Sequence, residues 1–136
     1  FQTLANRLKA KGDFAQAYVI AHEIGHHIQH QLGGDRQSHA RGANAGSVRA
    51  ELQADCYAGI WARSTQQRHL VEVGDLDEVM AATAAMGDDT LQRKSTGTVR
   101  PETFSHGTSA QRKHWFQQGF DRGTLQACDT LAAPTL

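Results

Sequence analysis

The chain has 136 residues, 39% of them hydrophobic and 21% charged, which suits one domain with a real core. Lys+Arg 14 balance Asp+Glu 14, so the composition offers no broad electrostatic footprint for nucleic acid or an anionic membrane. No apolar run reaches the roughly 18 residues of a membrane span, and no signal-peptide pattern is visible. The start at Phe1 in place of Met leads us to expect a single excised domain over residues 1–136, with an N-terminal segment upstream.

Helix signals dominate in chain order. Phe1, Leu4 and Leu8 share a face, and Gly12 can stop that short helix. Asp13 with Gln16 makes a capping-box pattern. Phe14, Ala17, Ala21, Ile24, Ile28 and Leu32 follow at three-to-four spacing, which predicts an amphipathic helix over residues 13–32. Gly33 and Gly34 end it. Residues 33–47 are rich in Gly, Ser, Asn and Arg and read as a loop. A second helix is expected over residues 47–69, with Leu52, Cys56, Gly59 and Ile60 toward the core. Asp75 with Glu78 caps a third, which Gly87 ends. Residues 88–107 read as a long loop before the last helix. Thr108 with Gln111 caps that helix, which runs to about Arg122, and the polar tail reads as irregular. The fold class is therefore mainly α, without a convincing strand pair or repeat. Trp61, Trp115 and Phe116 fit core packing at helical spacing.

His22-Glu23-Ile24-Gly25-His26 stands in the middle of the first long helix. On a helix, His22 and His26 face one side and can grip one Zn²⁺, with Glu23 beside the metal as a base. A catalytic zinc site needs a third protein ligand and leaves the fourth position to water. Leu32 stands where a third His ten residues after the first would be. His30 would require one rigid helix to wrap three ligands around the ion, and His27 points about 100° away from His26. A Glu on the following helix fits better. Glu51 and Asp55 are four residues apart and face one way. Glu51 can ligate zinc, while Asp55 can accept the free ring N–H of a ligand His.

Cys56 and Cys128 are the only cysteines and form no zinc-binding pair motif. They read either as two buried thiols or as one long-range disulfide, which belongs to an oxidising compartment. His39, His69 and His114 read as structural or solvent-facing.

Three blocks, His22-Glu23-Ile24-Gly25-His26-His27-Ile28-Gln29, Glu51-Leu52-Gln53-Ala54-Asp55-Cys56-Tyr57-Ala58-Gly59 and Ser105-His106-Gly107-Thr108-Ser109-Ala110-Gln111-Arg112, resemble the bacterial family of putative neutral zinc metallopeptidases. The resemblance runs from about Phe1 to Leu131. It implies a zincin-like helical core, zinc as cofactor, His22, His26 and Glu51 as ligands, and Glu23 as the catalytic carboxylate acting on a peptide or protein substrate. It also implies paired Cys56 and Cys128, an extracytoplasmic site at the cell envelope, and a membrane helix in upstream chain. In such a mechanism Glu23 moves the water proton to the leaving amine. His106, in a loop just before a helix, is the first candidate to support the oxyanion, and Arg112 the second. A different class of function uses the same ligands: a catalytically silent zinc module that serves as an interaction domain.

Overall fold

The computed structural model describes residues 13–72 and 74–136. The short helix expected around Phe1, Leu4 and Leu8 lies outside them. Six α-helices follow one another: α1 (Asp13–Gln31), α2 (Gly34–Ala40), α3 (Ala43–Gln67), α4 (Asp75–Ala85), α5 (Asp88–Ser95) and α6 (Ser109–Arg122). Two 3₁₀ turns, Pro101–Thr103 and Leu125–Cys128, complete the regular structure of the described residues. The described residues contain no strand, so the expected mainly α class is observed.

Three expectations about the elements and their caps need correction. Residues 33–47 are not a loop, because α2 and the first turn of α3 occupy them. Gly33 (φ 78°) and Gly42 (φ 90°) are single left-handed breaks between helices. Composition made them look like part of one flexible stretch. Residues 88–107 are likewise not all loop, since α5 and the 3₁₀ turn Pro101–Thr103 lie within them. Asp75 also fails to cap α4 through a box with Glu78. Gly74 takes the N-cap position without a side-chain cap, and the Asp75 carboxylate accepts the Glu72 backbone N–H at 2.7 Å. The box expected at Thr108 and Gln111 is present in both halves, and Gly123 (φ 69°) ends α6.

α3 is the central helix. It packs against α6 on one side and α1 on another. Small residues set both distances. A Cβ on Gly59 would lie 2.0 Å from the Phe116 carbonyl oxygen, and one on Gly119 would lie 1.9 Å from that of Cys56. The two glycines therefore let α3 and α6 cross backbone to backbone. Gly25, between His22 and His26, plays the same part against α3, with its missing Cβ 3.1 Å from Ala54 Cα.

Around these crossings lies a core of Phe14, Tyr18, Ala58, Ala62, Val79 and Phe116. Tyr18 meets the Phe116 ring edge-on at 5.7 Å, and Phe14 stacks on Trp61 at 5.3 Å. Burying a side chain such as Phe116 stabilises the fold by about 1.5–3 kcal/mol. A second cluster holds Leu52, Tyr57, Trp115 and the Cys56–Cys128 disulfide. That bond ties α3 to the C-terminal 3₁₀ turn across 72 residues, worth on the order of 4 kcal/mol by loop entropy.

The buried face of α1 differs from the periodicity. Phe14, Tyr18, Ala21, His22, Gly25 and Gln29 face inward, while Ile20, Ile24 and Leu32 are exposed. The helix is rotated so that the glycine of the motif, rather than its isoleucine, meets α3. That rotation turns His22 into the protein.

Candidate metal centre

α1 and α3 run side by side, and their shared face collects the chemistry. His22 Nε2 lies 2.9 Å from Glu51 Oε2, and His26 Nε2 lies 3.1 Å from Glu51 Oε1. The two Nε2 atoms are 3.1 Å apart, with the rings nearly perpendicular at 86°. One ligand atom from each of His22, His26 and Glu51 falls within 4.8 Å of the others. Donors about 2.05 Å from one tetrahedral zinc would stand about 3.3 Å apart. The observed separations and the two-imidazole, one-carboxylate donor set therefore fit that ion. His27 and His30 are not part of the cluster.

Each imidazole is held from behind. His22 Nδ1 donates to Asp55 Oδ1 at 2.8 Å, and His26 Nδ1 donates to Gln29 Oε1 at 2.8 Å. In the neutral imidazoles both bonds place the proton on Nδ1, so that Nε2 carries the lone pair a metal would take.

Asp55 is fully buried and accepts from four donors. These are His22 Nδ1, Tyr18 Oη, and Arg112 through Nε at 2.7 Å and Nη2 at 3.0 Å. Arg112 also donates to the Met86 carbonyl at 3.1 Å. The sequence suggested Arg112 as oxyanion support. In the structure it is only 3% exposed, and its fork is engaged with Asp55. It is linked to the candidate centre through Asp55 and His22.

The charges follow this arrangement. Burial opposes ionisation of Asp55, but Arg112 and His22 outweigh it and hold the carboxyl below its usual range. Burial likewise disfavours His22 protonation, yet hydrogen bonds to Asp55 and Glu51 raise its pKa to about 9. The hydrogen bond to Glu51 raises His26 as well. Burial works against the Glu51 charge, and both imidazoles overcome it, so its pKa falls far below that of a free carboxyl. Burial and the Asp55 charge push the Tyr18 phenol well up.

Glu23 is exposed on α1, one residue past His22. His106 is also exposed, with its Nδ1 2.9 Å from Ser105 Oγ and 3.3 Å from Asp88 Oδ1. It is not part of the three-residue donor cluster. Its loop is fixed from α5. Asp88 Oδ2 accepts the backbone N–H groups of Ser105, His106 and Gly107 at 2.8, 2.7 and 3.0 Å. Asp89 next to it accepts from Ser109 N at 2.7 Å and Ser109 Oγ at 2.9 Å.

Sequence reasoning missed Tyr18, Gln29, Gln53 and Asp88. Tyr18 had a signal, standing one turn before His22 on the same face. Gln29 and Gln53 had a weaker one, as amides on faces where apolar residues are expected. Asp88 had none, because its work depends on a loop seventeen or more residues away in sequence.

The model of the family described as "putative neutral zinc metallopeptidase" matches residues 1–131. The uncharacterized protein YpfJ of Escherichia coli K12 is 49% identical over 138 residues, covering 96% of this chain and 48% of that protein. The uncharacterized protein Rv2575 of Mycobacterium tuberculosis H37Rv is 45% identical over 149 residues, covering 100% of this chain and 51% of that protein. The chain thus spans about half the length of the curated relatives it matches. No solved structure matches it.

Proposed function

Since the chain belongs to the family of putative neutral zinc metallopeptidases, we propose that it binds Zn²⁺ through His22, His26 and Glu51 and hydrolyses peptide bonds. The observation that carries this reading is the convergence of those three donors, with His22 backed by the buried Asp55. The helical core with its motif-bearing helix is the further support for a zincin-like assignment.

Held by these three residues, zinc would supply Lewis acidity to a water and to the substrate carbonyl, the chemistry that brings a bound water's pKa toward about 7. Glu23 takes the water proton on its carboxylate and hands it to the departing amine. Its exposure beside His22 leaves it free to reach both. Asp55 and Gln29 keep the two imidazoles in the tautomer that ligates. His106 is the remaining candidate to donate to the developing oxyanion, being exposed on a loop that Asp88 anchors. The Cys56–Cys128 disulfide supports an extracytoplasmic location for the domain. No helix among the described residues is long and apolar enough to cross a membrane.

The test is zinc content with peptide hydrolysis, in wild type and in Glu23→Gln. The proposal expects about one zinc per chain in both, with hydrolysis lost in the variant. Unchanged hydrolysis in Glu23→Gln sinks the mechanism. Zinc without hydrolysis in either protein favours the silent zinc module.

A further inference from the structure

Behind His26 lies a chain of buried amides. Gln29 Oε1 accepts from His26 Nδ1 at 2.8 Å. Gln29 Nε2 donates to the Ala50 carbonyl at 2.6 Å and to Gln53 Oε1 at 3.0 Å. Gln53 Nε2 donates in turn to the Cys128 carbonyl at 3.0 Å. Both glutamines are nearly inaccessible, at 5% and 7% exposure. Cys128 is held to α3 by its disulfide to Cys56, and Cys56 directly follows Asp55 in sequence.

The polarity of this chain is forced from its far end. A backbone carbonyl can only accept, so the Cys128 carbonyl requires the Gln53 NH₂ group. That turns Gln53 Oε1 toward Gln29, which must then present its own NH₂ there and to Ala50. Gln29 Oε1 is left facing His26. An amide oxygen at Nδ1 requires a proton on Nδ1, so in the neutral ring the lone pair sits on Nε2, the atom that faces His22 and Glu51.

We infer that Gln29 and Gln53 are positioning residues that transmit the location of the disulfide-held Cys128 carbonyl to His26, so that opening the Cys56–Cys128 bond weakens zinc binding. A dithiol opens it by exchange, giving two cysteine thiols in the protein and one oxidised disulfide of the reagent. The 3₁₀ turn Leu125–Cys128 then loses its covalent tie to α3, and Gln53 loses a fixed acceptor. Its NH₂ group becomes free to turn, and the constraint on Gln29 relaxes with it. This inference rests on the proposed zinc site.

The experiment measures Zn²⁺ affinity by competition with a chromophoric chelator. Proteins compared are wild type, Gln53→Met, the double variant Cys56→Ala/Cys128→Ala, and the three changes combined. Methionine keeps the volume of Gln53 and removes its amide. Circular dichroism establishes that each protein is helical. Isotope-edited NMR of the zinc-loaded proteins follows exchange of the His26 Nδ1–H proton relative to that of the buried Thr83 amide, a ratio that separates a local change at His26 from a general loss of stability. The expected result is affinity about tenfold weaker in Gln53→Met and in the cysteine variant. The combined variant should be little worse than either, with the His26 Nδ1–H proton exchanging faster in all three. Wild-type affinity in Gln53→Met overturns the inference, as do losses that simply multiply in the combined variant. If the cysteine variant does not fold, Gln53→Met decides alone by affinity and by the His26 proton. Wild type that takes up no zinc overturns the zinc reading itself, which keeps the two failures apart.

Discussion

Asp55 accepts the Nδ1 proton of His22 at 2.8 Å from a position with no solvent exposure. A lone buried carboxylate would be costly. This one is matched by the Arg112 guanidinium at 2.7 Å, by Tyr18 and by His22, so it stays ionised and aims its charge at the imidazole. The bond joins fold stability and metal affinity in one side chain, and that makes the two separable only by choice of variant.

Asp55→Asn keeps the shape of the side chain and removes the charge. Arg112 is then a buried cation without its counter-ion, and His22 loses a strong acceptor. We expect a loss of about 3 kcal/mol in unfolding free energy and a zinc affinity lower by about 10- to 100-fold. Chemical denaturation and chelator competition measure the two effects. A variant as stable as wild type would show that Arg112 finds another partner.

The metal-free protein should lose stability as pH rises. His22 goes from an ordinary 6.5 to about 9 in the fold, so the folded state holds its proton more tightly than the unfolded chain. The stabilisation is fully present below pH 6.5 and lost as pH rises through 9. Its size is about 3 kcal/mol, from 1.36 kcal/mol per pH unit. The groups facing His22 are Asp55, Glu51, His26 and Arg112; Asp55, Glu51 and Arg112 keep their charges throughout this window, and His26 alone titrates beside His22. Zinc requires neutral imidazoles, so zinc binding should release protons and tighten with pH over the same window. Denaturation of chelated protein between pH 6 and 9.5 reads the first effect. A flat profile refutes the assigned shift.

The glycines at the helix crossings make a paired prediction. Gly59→Ala places a Cβ 2.0 Å from the Phe116 carbonyl oxygen, and neither backbone can yield cheaply. We expect a loss of 3 kcal/mol or more, on the order of the upper range for overpacking. Gly25→Ala meets Ala54 Cα and O at 3.1 Å, a milder clash costing about 1–2 kcal/mol. Yet Gly25 lies between His22 and His26, so prying α1 off α3 there also pulls the imidazoles from Glu51. Thermal melts should rank Gly59→Ala as the more damaging. Zinc affinity of the folded fraction should rank Gly25→Ala as the worse.

The candidate metal face was legible because it depends on helical spacing. His22 and His26 share a helix face, as do Glu51 and Asp55, and spacing of four residues survives any tertiary detail. The rest depended on which way each helix turned. The apolar pattern of α1 pointed Ile24 and Leu32 inward, whereas close approach at Gly25 turned them out. The Gly-rich stretch after α1 looked like a loop because composition cannot distinguish a flexible segment from helices separated by single left-handed glycines. The Asp55 partner of Arg112 was not legible, because an Arg in the first turn of a helix gives no sign that a buried Asp awaits it 57 residues away.

Asp88 makes the last test, because it orders the His106 loop without touching His22, His26 or Glu51. Its carboxylate is 7% exposed as a residue and accepts three successive backbone N–H groups. Asp88→Ala leaves those donors to find water, at about 1–3 kcal/mol for the most buried of them. Amide hydrogen exchange at Ser105, His106 and Gly107 should speed up first. Zinc affinity should stay at the wild-type level, since His22, His26 and Glu51 keep their partners. If His106 donates to the oxyanion, peptide hydrolysis falls by about 10²-fold or more, the scale of losing one such donor, and His106→Ala falls equally. Full hydrolysis in Asp88→Ala, with the loop amides exposed, would remove His106 from the mechanism and leave Glu23 as the acid–base group that remains.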